Sequence, residues 1–158
     1  MTPEIRRILY ATDLSPNSFH AFLYAIDMAR SHDAKIIALH VVEPIPEEVR
    51  FVGVLKRVEE KERKEKVQQI QEYIQELCKK AEAEIGLPCM VLVSKILVPR
   101  GHPPEEILKA ADEEDCDVIV LGTHGKGFLA HTFLGSVSNA VLHLTRKPVF
   151  MIPLPSEK

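Results

Sequence analysis

Short apolar runs recur along the chain, separated by longer amphipathic or polar stretches. The runs lie at positions 8–11, 36–42, 91–98, 117–121 and 149–152, and the fourth is rich in β-branched residues. Nearly unbroken apolar runs of this length are typical of strands that helices cover on both faces. The pattern therefore predicts five strands, the third interrupted by the polar pair Ser94 and Lys95.

Between these runs, apolar residues recur at steps of three and four, the spacing of a helix with one buried face. Four such faces are present: Phe19, Phe22, Leu23, Ile26 and Ala29; Val67, Ile70, Ile74, Leu77, Ala81 and Ile85; Ile107, Leu108, Ala110 and Ala111; and Val137, Ala140, Val141 and Leu144. Ser15 and Pro16 suit the start of the first helix, as its cap and its first residue. Gly86 and Pro88 break the second helix.

A charged segment precedes the second apolar face. Residues 47–85 are mostly helix-forming, but residues 59–66 contain no apolar side chain and their charges alternate in sign. We therefore expect the helix to dock from near Val67, with the charged run as a solvated helical extension or a mobile segment. Binding of a partner by this run is the alternative.

Strands that alternate with helices pair in parallel through right-handed crossovers. The chain is therefore predicted to have an α/β fold, a doubly wound five-stranded parallel sheet with helices on both faces. This alternation does not set the order of the strands. The length of 158 residues, with 46% hydrophobic and 27% charged residues, suits a single domain that spans 1–158.

Composition excludes several classes of protein. A formal net charge of -3 and a pI near 6.2 provide no basic field for nucleic acid. Three cysteines, Cys78, Cys89 and Cys116, form no C-x-x-C pair, so we expect free thiols and a reducing compartment. The seven histidines have no metal-ligand spacing. Without a signal-peptide core or a run near the ~18 apolar residues of a membrane span, a cytoplasmic location is expected.

The loop after the fourth apolar run carries glycines at a defined spacing. Gly122, Gly125, Gly135 and Ser136 give G-x2-G-x9-G-S, which fits neither the G-x-G-x-x-G dinucleotide fingerprint nor a G-x4-G-K-[ST] phosphate loop. Such glycines let backbone N–H groups approach an anion, and the helix that follows favours phosphate at its start. The alternative is that the glycines are turn residues and Ser136 is an N-terminal cap.

With these residues in view, the sequence resembles the ATP-binding branch of the universal stress protein family, in which G-x2-G-x9-G-[ST] is the ATP-binding motif. The resemblance extends to Ala11-Thr12-Asp13, to Gly101-x-Pro103-x3-Ile107 and to Lys147-Pro148-Val149, and so spans nearly the whole chain. It implies the strand order 3-2-1-4-5. It also implies a nucleotide site where the first and fourth strands lie side by side, at their carboxyl ends.

The resemblance assigns roles to residues at those strand ends. Thr12, Asp13, Val41, Gly122, Gly125, Gly135, Ser136 and Val137 are expected to contact ATP, together with Lys126 and, as a further candidate, His124. A carboxylate at Asp13 suits ribose or adenine donors, although an aspartate before a helix also forms local turns. The backbone of Val41 would pair with adenine, its side chain being ordinary core. Mg²⁺ or Mn²⁺ would arrive with the triphosphate.

The predicted function is that of a stress-response ATP-binding protein, a nucleotide-dependent sensor or switch that acts through an unknown protein partner and turns ATP over slowly or not at all. A slow ATPase or adenylate-forming enzyme of a related fold is the alternative, but neither S-G-G-x-D-S nor H-x-G-H follows the first strand. A flavodoxin-like or phospho-receiver module is disfavoured too. Its phosphate loop or acid cluster is missing from the first loop.

The last apolar run also predicts an assembly. In the family's strand order Val149–Ile152 lies at an edge of the sheet, where its apolar side chains need cover. We therefore expect a homodimer formed by antiparallel pairing of two such strands. Cover by the chain's own helices is the alternative.

Overall fold

The structure is a computed structural model, and it describes residues 2–44, 54–86, 88–123 and 134–154, without the side chains of 54–56. Strands and helices alternate throughout these residues. In chain order they are β1 (Arg7–Ala11), α1 (Ser18–His32), β2 (Lys35–Leu39), α2 (Val54–Ile85), β3 (Val93–Leu97), α3 (Pro103–Glu113), β4 (Val118–Gly122), α4 (Ser136–Leu144) and β5 (Val149–Ile152), with a 3-10 turn at Met90–Leu92.

The described strands form one sheet in the order β3-β2-β1-β4-β5, and every pair in it is parallel. The central strand β1 pairs with β2 through Ile8↔Ile36 and with β4 through Ile8↔Val118. The chain winds outward from β1 to β3 and then returns to the other side of β1 as β4. The predicted doubly wound sheet and its order are confirmed, and the switch point lies between β1 and β4.

The strands are apolar on both sides because helices cover both faces. Ile8 and Tyr10 pack in a cluster with side chains of α1 and α2, whereas Leu9 packs with side chains of α3 and α4. All three are fully buried, and burial of one such side chain stabilises the fold by about 1.5–3 kcal/mol. Successive side chains of β1 therefore pack against opposite layers of helices.

Some elements begin or end away from their predicted bounds. The strand predicted at 36–42 ends at Leu39, because beyond it only the β3 side continues to pair, with a single bridge between Val42 and Arg100. The third strand begins at Val93, since Met90–Leu92 forms a 3-10 turn. α1 begins at Ser18 with Asn17 at its N-cap, so Ser15 does not cap it. The hydroxyl of Ser15 is buried and has no hydrogen-bond partner among the described residues.

α2 is one helix from Val54 to Ile85. Val67 packs at the edge of the core, and Ile70, Ile74 and Leu77 are buried, whereas most described side chains before Val67 are exposed. Docking from near Val67 with a solvated helical extension before it is therefore confirmed, and residues 47–53 of the predicted helix lie outside the described residues. No described helix has both the length and the apolar composition that crossing a membrane requires.

The cysteines depart from expectation, because Cys78 and Cys89 form a disulfide. The prediction of free thiols was wrong for this pair. Gly86 ends α2 with a φ of 71°, in the left-handed region that favours glycine, and the chain turns back so that the two Cα atoms are 5.5 Å apart. Cys116 is a buried free thiol, and burial, aided by the carboxylate of Glu114, raises its pKa to about 11.

Candidate functional site

A cavity of about 480 Å³ opens at the carboxyl ends of the strands, beside the switch point. Its wall combines the ends of β1, β2 and β4 with the starts of α3 and α4 and one side chain of α2. The lining residues named in the sequence analysis are Ala11, Thr12, Asp13, Val41, Pro103, Ile107, Gly122, Gly135, Ser136 and Val137. The cavity is of the size of ordinary small-molecule sites, which span about 300–1,000 Å³.

Thr12 and Asp13 leave β1 in a tight turn. The N–H of Thr12 donates to the carbonyl of Leu39 at 2.9 Å, and its hydroxyl accepts the N–H of Leu14 at 3.0 Å. One carboxylate oxygen of Asp13 accepts the N–H of Ser15 at 3.0 Å. The turn-forming role that competed with ligand binding at Asp13 is therefore present, and the same half-buried side chain also lines the cavity.

Val41 follows β2 with its backbone turned toward the cavity. The N–H groups of His40 and Val42 donate to Leu97 and Pro99, on the side of β3. Backbone groups of successive residues in a parallel strand point to alternate sides. The N–H and C=O of Val41 therefore point to the side of β1, which has already turned away at Thr12.

The start of α4 forms the opposite wall. Gly135 is the N-cap residue and Ser136 is the first helical residue, so the alternative role of Ser136 as the cap is wrong. The N–H of Asn139 is the first to bond within the helix, to Gly135, which leaves the N–H groups of Ser136, Val137 and Ser138 without helical partners. All three residues line the cavity, and the positive end of the helix dipole lies with them.

Two hydrogen bonds fasten this helix start to β4. Ser138 donates its hydroxyl to the carbonyl of Gly122 at 2.6 Å, and the N–H of Gly135 donates to the carbonyl of Thr123 at 2.7 Å. They hold Gly122 and Gly135 next to each other, as the loop motif requires. Gly125, Lys126 and His124 lie outside the described residues.

The structure adds cavity residues that the sequence analysis did not name. They are Ser18, Leu39, His40, Val42, Glu43, Lys66, Leu121 and Ser138. Leu121 and Ser138 adjoin predicted residues, and their place in the motif would have indicated them. Lys66 lies at the end of a charged run that sequence reasoning assigned to solvent, so no local pattern indicated it.

Buried hydroxyl groups connect the cavity to α2. The Thr12 hydroxyl is hydrogen-bonded to that of Ser18 at 2.8 Å, and the Ser18 hydroxyl is bonded in turn to that of Tyr73. Tyr10 donates to the carbonyl of Ser18 at 2.6 Å. Burial, reinforced by Tyr73, raises the pKa of Tyr10 well above its usual value, so this phenol stays a neutral donor.

The charges at the cavity are few. Asp13 and Glu43 are acidic, and Lys66 is the lysine that the described wall contributes. Within the described parts of the chain, no three His, Cys, Asp or Glu side chains converge as a metal site. The helix start can bind an anion through backbone donors, and the ends of β1 and β2 can bind a polar aromatic ring.

The chain is similar to known proteins over nearly its whole length. A model of the universal stress protein family matches residues 4–153. The universal stress protein MJ0577 of Methanocaldococcus jannaschii is 30% identical over 96% of this chain and 97% of its own. A universal stress protein of Thermus aquaticus is 35% identical over 93% of this chain and 98% of its own. These matches run nearly from end to end.

Solved structures share the architecture. The structure of MJ0577 superposes with a TM-score of 0.67 at 29% identity, covering 97% of this chain and 99% of that one. A universal stress protein solved with cAMP has a TM-score of 0.62 at 21% identity, covering 95% and 98%. One from Archaeoglobus fulgidus, solved with dAMP, has 0.59 at 21% identity, covering 98% and 100%. The last two show the same fold.

Proposed function

The chain belongs to the universal stress protein family, and on that premise we propose that it is a stress-response protein that binds ATP and signals by its occupancy. One observation carries the proposal. The N–H groups at the start of α4, which have no partners within the helix, lie in the same cavity as the ends of β1 and β2, so an anion site adjoins a site for a polar ring.

The α4 side of the cavity suits phosphate groups. Gly122 and Gly135 are held together by the bonds to Ser138 and Thr123, and Ser136 adds a hydroxyl beside the N–H groups that have no helical partner. Donors fixed before the ligand arrives lose little entropy on binding. We assign the phosphates to this wall, and the sequence predicts two further contacts, from Gly125 of the motif and from Lys126 after it.

The β1 and β2 side suits adenosine. The N–H and C=O of Val41 point toward the cavity side of the sheet and match the donor and acceptor of an adenine edge. Asp13 keeps a carboxylate at the cavity wall, where ribose hydroxyls or an amino group can donate to it. Guanine presents the opposite donor pattern and would leave buried groups unpaired.

Two structural relatives add support. Universal stress proteins of the same fold were solved with cAMP and with dAMP, both adenine nucleotides. We take ATP as the ligand of this chain because the motif that contains Gly125 and Ser136 resembles that of the ATP-binding branch. Mg²⁺ or Mn²⁺ would travel with the triphosphate.

ATP selectivity tests the proposal. Calorimetry of the purified chain should give an affinity for ATP about tenfold or more above that for GTP, since one unpaired hydrogen bond costs this much. Mass spectrometry of ligand extracted from the native protein should identify an adenine nucleotide. Equal affinities for ATP and GTP, or no binding of either, would contradict the proposed site.

The proposed switch needs a partner and an assembly. We propose a homodimer formed through β5, because Phe150 is 39% exposed on this edge strand and Tyr24 beside it is 43% exposed. An edge strand with exposed aromatic side chains is a pairing surface. Occupancy would then shift the equilibrium between two conformations that a partner protein distinguishes. The cytoplasmic location stays an expectation.

A further inference from the structure

An ion pair between Arg100 and Glu62 holds α2 beside the cavity. Arg100 donates from its guanidinium to the carboxylate of Glu62 at 3.0 Å, and both side chains are only partly exposed. The same guanidinium donates to the carbonyl of Glu43 at 2.8 Å. Because Glu43 lines the cavity, this ion pair fixes the Glu62 turn of α2 beside the cavity wall.

A second contact holds α2 three turns further on. The hydroxyl of Tyr73 is bonded to that of Ser18 and also donates to the carbonyl of Ser15 at 3.3 Å. Ser18 lines the cavity and is bonded to Thr12. The adjacent Ile74 is fully buried, so the helix cannot shift here without loss of core packing.

Lys66 lies between these two contacts. It follows Glu62 by four residues and precedes Tyr73 by seven, so all three share one face of the helix. Its side chain is half-buried and lines the cavity. Within the described residues it has no hydrogen bond or ion pair, and the acids Asp13 and Glu43 in the same wall do not pair with it.

We propose that Lys66 binds a phosphate group of the nucleotide, an inference that rests on the proposed ATP site. A half-buried lysine at a cavity wall, without a partner among the described residues, favours an anionic ligand. Lysine suits this task, since its flexible stem lets one charge follow a phosphate. Phosphates would then be bound from two sides, by α4 through backbone donors and by α2 through Lys66.

This arrangement makes Tyr73 a positioning residue. Tyr73 does not bind the ligand, but its bonds to Ser18 and Ser15 set where α2 places Lys66. Nucleotide binding would depend on that placement of Lys66. The bound nucleotide would in turn hold α2 more firmly against the rest of the chain. Occupancy would thereby be communicated to the charged extension of α2, residues 57–65, which is mostly exposed to solvent.

Calorimetry with ATP and with adenosine tests the assignment. Lys66→Gln should weaken ATP binding about tenfold or more, since a charged hydrogen bond is lost, and should leave adenosine binding unchanged. Lys64→Gln is the matched control, because Lys64 is exposed on the same helix and its loss changes the net charge equally. Equal ATP affinities of the two variants would overturn the inference, as would an equal loss of adenosine affinity in Lys66→Gln.

A double-mutant cycle tests the positioning role. Tyr73→Phe should weaken ATP binding in the unmodified chain and should have little further effect once Lys66 is glutamine. Circular dichroism checks that the helix content of each variant is intact. Additive effects of Tyr73→Phe and Lys66→Gln would overturn the positioning role.

The outcomes separate this inference from the proposed function. If the unmodified chain binds no ATP, the proposed function fails and the inference fails with it. Suppose instead that ATP binds and that Ser136→Ala lowers its affinity, while Lys66→Gln and Lys64→Gln have equal ATP affinities. The proposed function then stands and the proposed role of Lys66 is wrong. Loss of ATP affinity in both Ser136→Ala and Lys66→Gln supports both.

Discussion

In the proposed site, Ser136 would bind phosphate in two ways. As the first residue of α4 it has a backbone N–H without a partner in the helix, and its side chain adds a hydroxyl at a position inside the N-cap. Gly135 at the N-cap has a φ of -67°, so this glycine is not required there by a left-handed backbone. Its use at this position agrees with close approach of a ligand to the main chain.

Replacement of Ser136 by alanine tests the residue directly. Ser136→Ala should lower ATP affinity about tenfold or more, from the ~1.5–3 kcal/mol of a hydrogen bond to a charged group. The backbone N–H remains, so binding should weaken without disappearing. Calorimetry measures the loss, and Asn139→Ala, an exposed position on the same helix, is the control. An unchanged affinity in Ser136→Ala would remove its hydroxyl from the site.

α2 connects more of the molecule than its amphipathic pattern indicates. Its apolar face packs on the sheet through Ile70 and Ile74, its middle reaches the cavity through Lys66, and its last turns are bonded to the next loop through Cys78. Cys89 is also held by its N–H, which donates to the carboxylate of Glu82 at 3.0 Å. The end of α2 is therefore fixed independently of the ligand.

The disulfide should contribute measurably to stability. It closes a loop with a sequence separation of 11, so its loss should lower the free energy of unfolding by about 2–3 kcal/mol through loop-closure entropy. Urea denaturation of the oxidised chain with and without reductant measures the effect. The Cys78→Ser, Cys89→Ser double variant is the control, since reductant should not shift its midpoint. If reductant leaves the unfolding midpoint of the oxidised chain unchanged, the disulfide does not stabilise the fold.

At the scale of the whole molecule, the two edges of the sheet differ. β3 ends one edge next to α2, whereas β5 presents Phe150 in edge-to-face contact with Tyr24 of α1, at a ring separation of 5.9 Å. Phe150 is thus partly covered by its own chain and partly exposed. This partial exposure is compatible with pairing of two β5 strands and with cover by the chain's own helices. The oligomeric state in solution distinguishes the two.

Replacement of Phe150 tests the assembly. The unmodified chain should be dimeric at micromolar concentration by light scattering, and Phe150→Lys should be monomeric because a charge at the pairing edge repels its symmetry mate. Val91→Lys is the control, since Val91 is 67% exposed before the opposite edge strand. A monomeric unmodified chain, or a Phe150→Lys variant that stays fully dimeric, would rule out pairing through β5.

Slow turnover is a further expectation for the whole site. Fast phosphoryl transfer needs a group that orients the nucleophile, and residues 122–135 contain no Asp or Glu. Asp13 lies across the cavity and is engaged with the N–H of Ser15. Phosphate release from ATP should therefore fall far below the ~1–100 s⁻¹ typical of kinases. A rate in that range that Ser136→Ala abolishes would make the protein an enzyme.

Local signals in the sequence determined the elements and one wall of the site. Apolar runs predicted five strands, because a strand that is buried on both faces needs apolar side chains at nearly every position. The spacing of Gly122, Gly135 and Ser136 predicted an anion site at a helix start, because the backbone donors there depend only on neighbouring residues. Strand boundaries differ from their predicted positions where they depend on pairing partners. β2, for example, ends at Leu39 because β1 has turned away beyond that point.

Only the tertiary structure decided which distant residues meet. The sheet order, which the family resemblance had implied, brings Asp13 into the same cavity as the start of α4. The turn at Gly86 brings Cys89 to Cys78, and the docking of α2 brings Lys66 to the cavity. No local periodicity encodes these contacts, because each depends on how whole helices and strands pack against one another. A lysine at the end of a charged run has the same local pattern whether it faces water or a ligand.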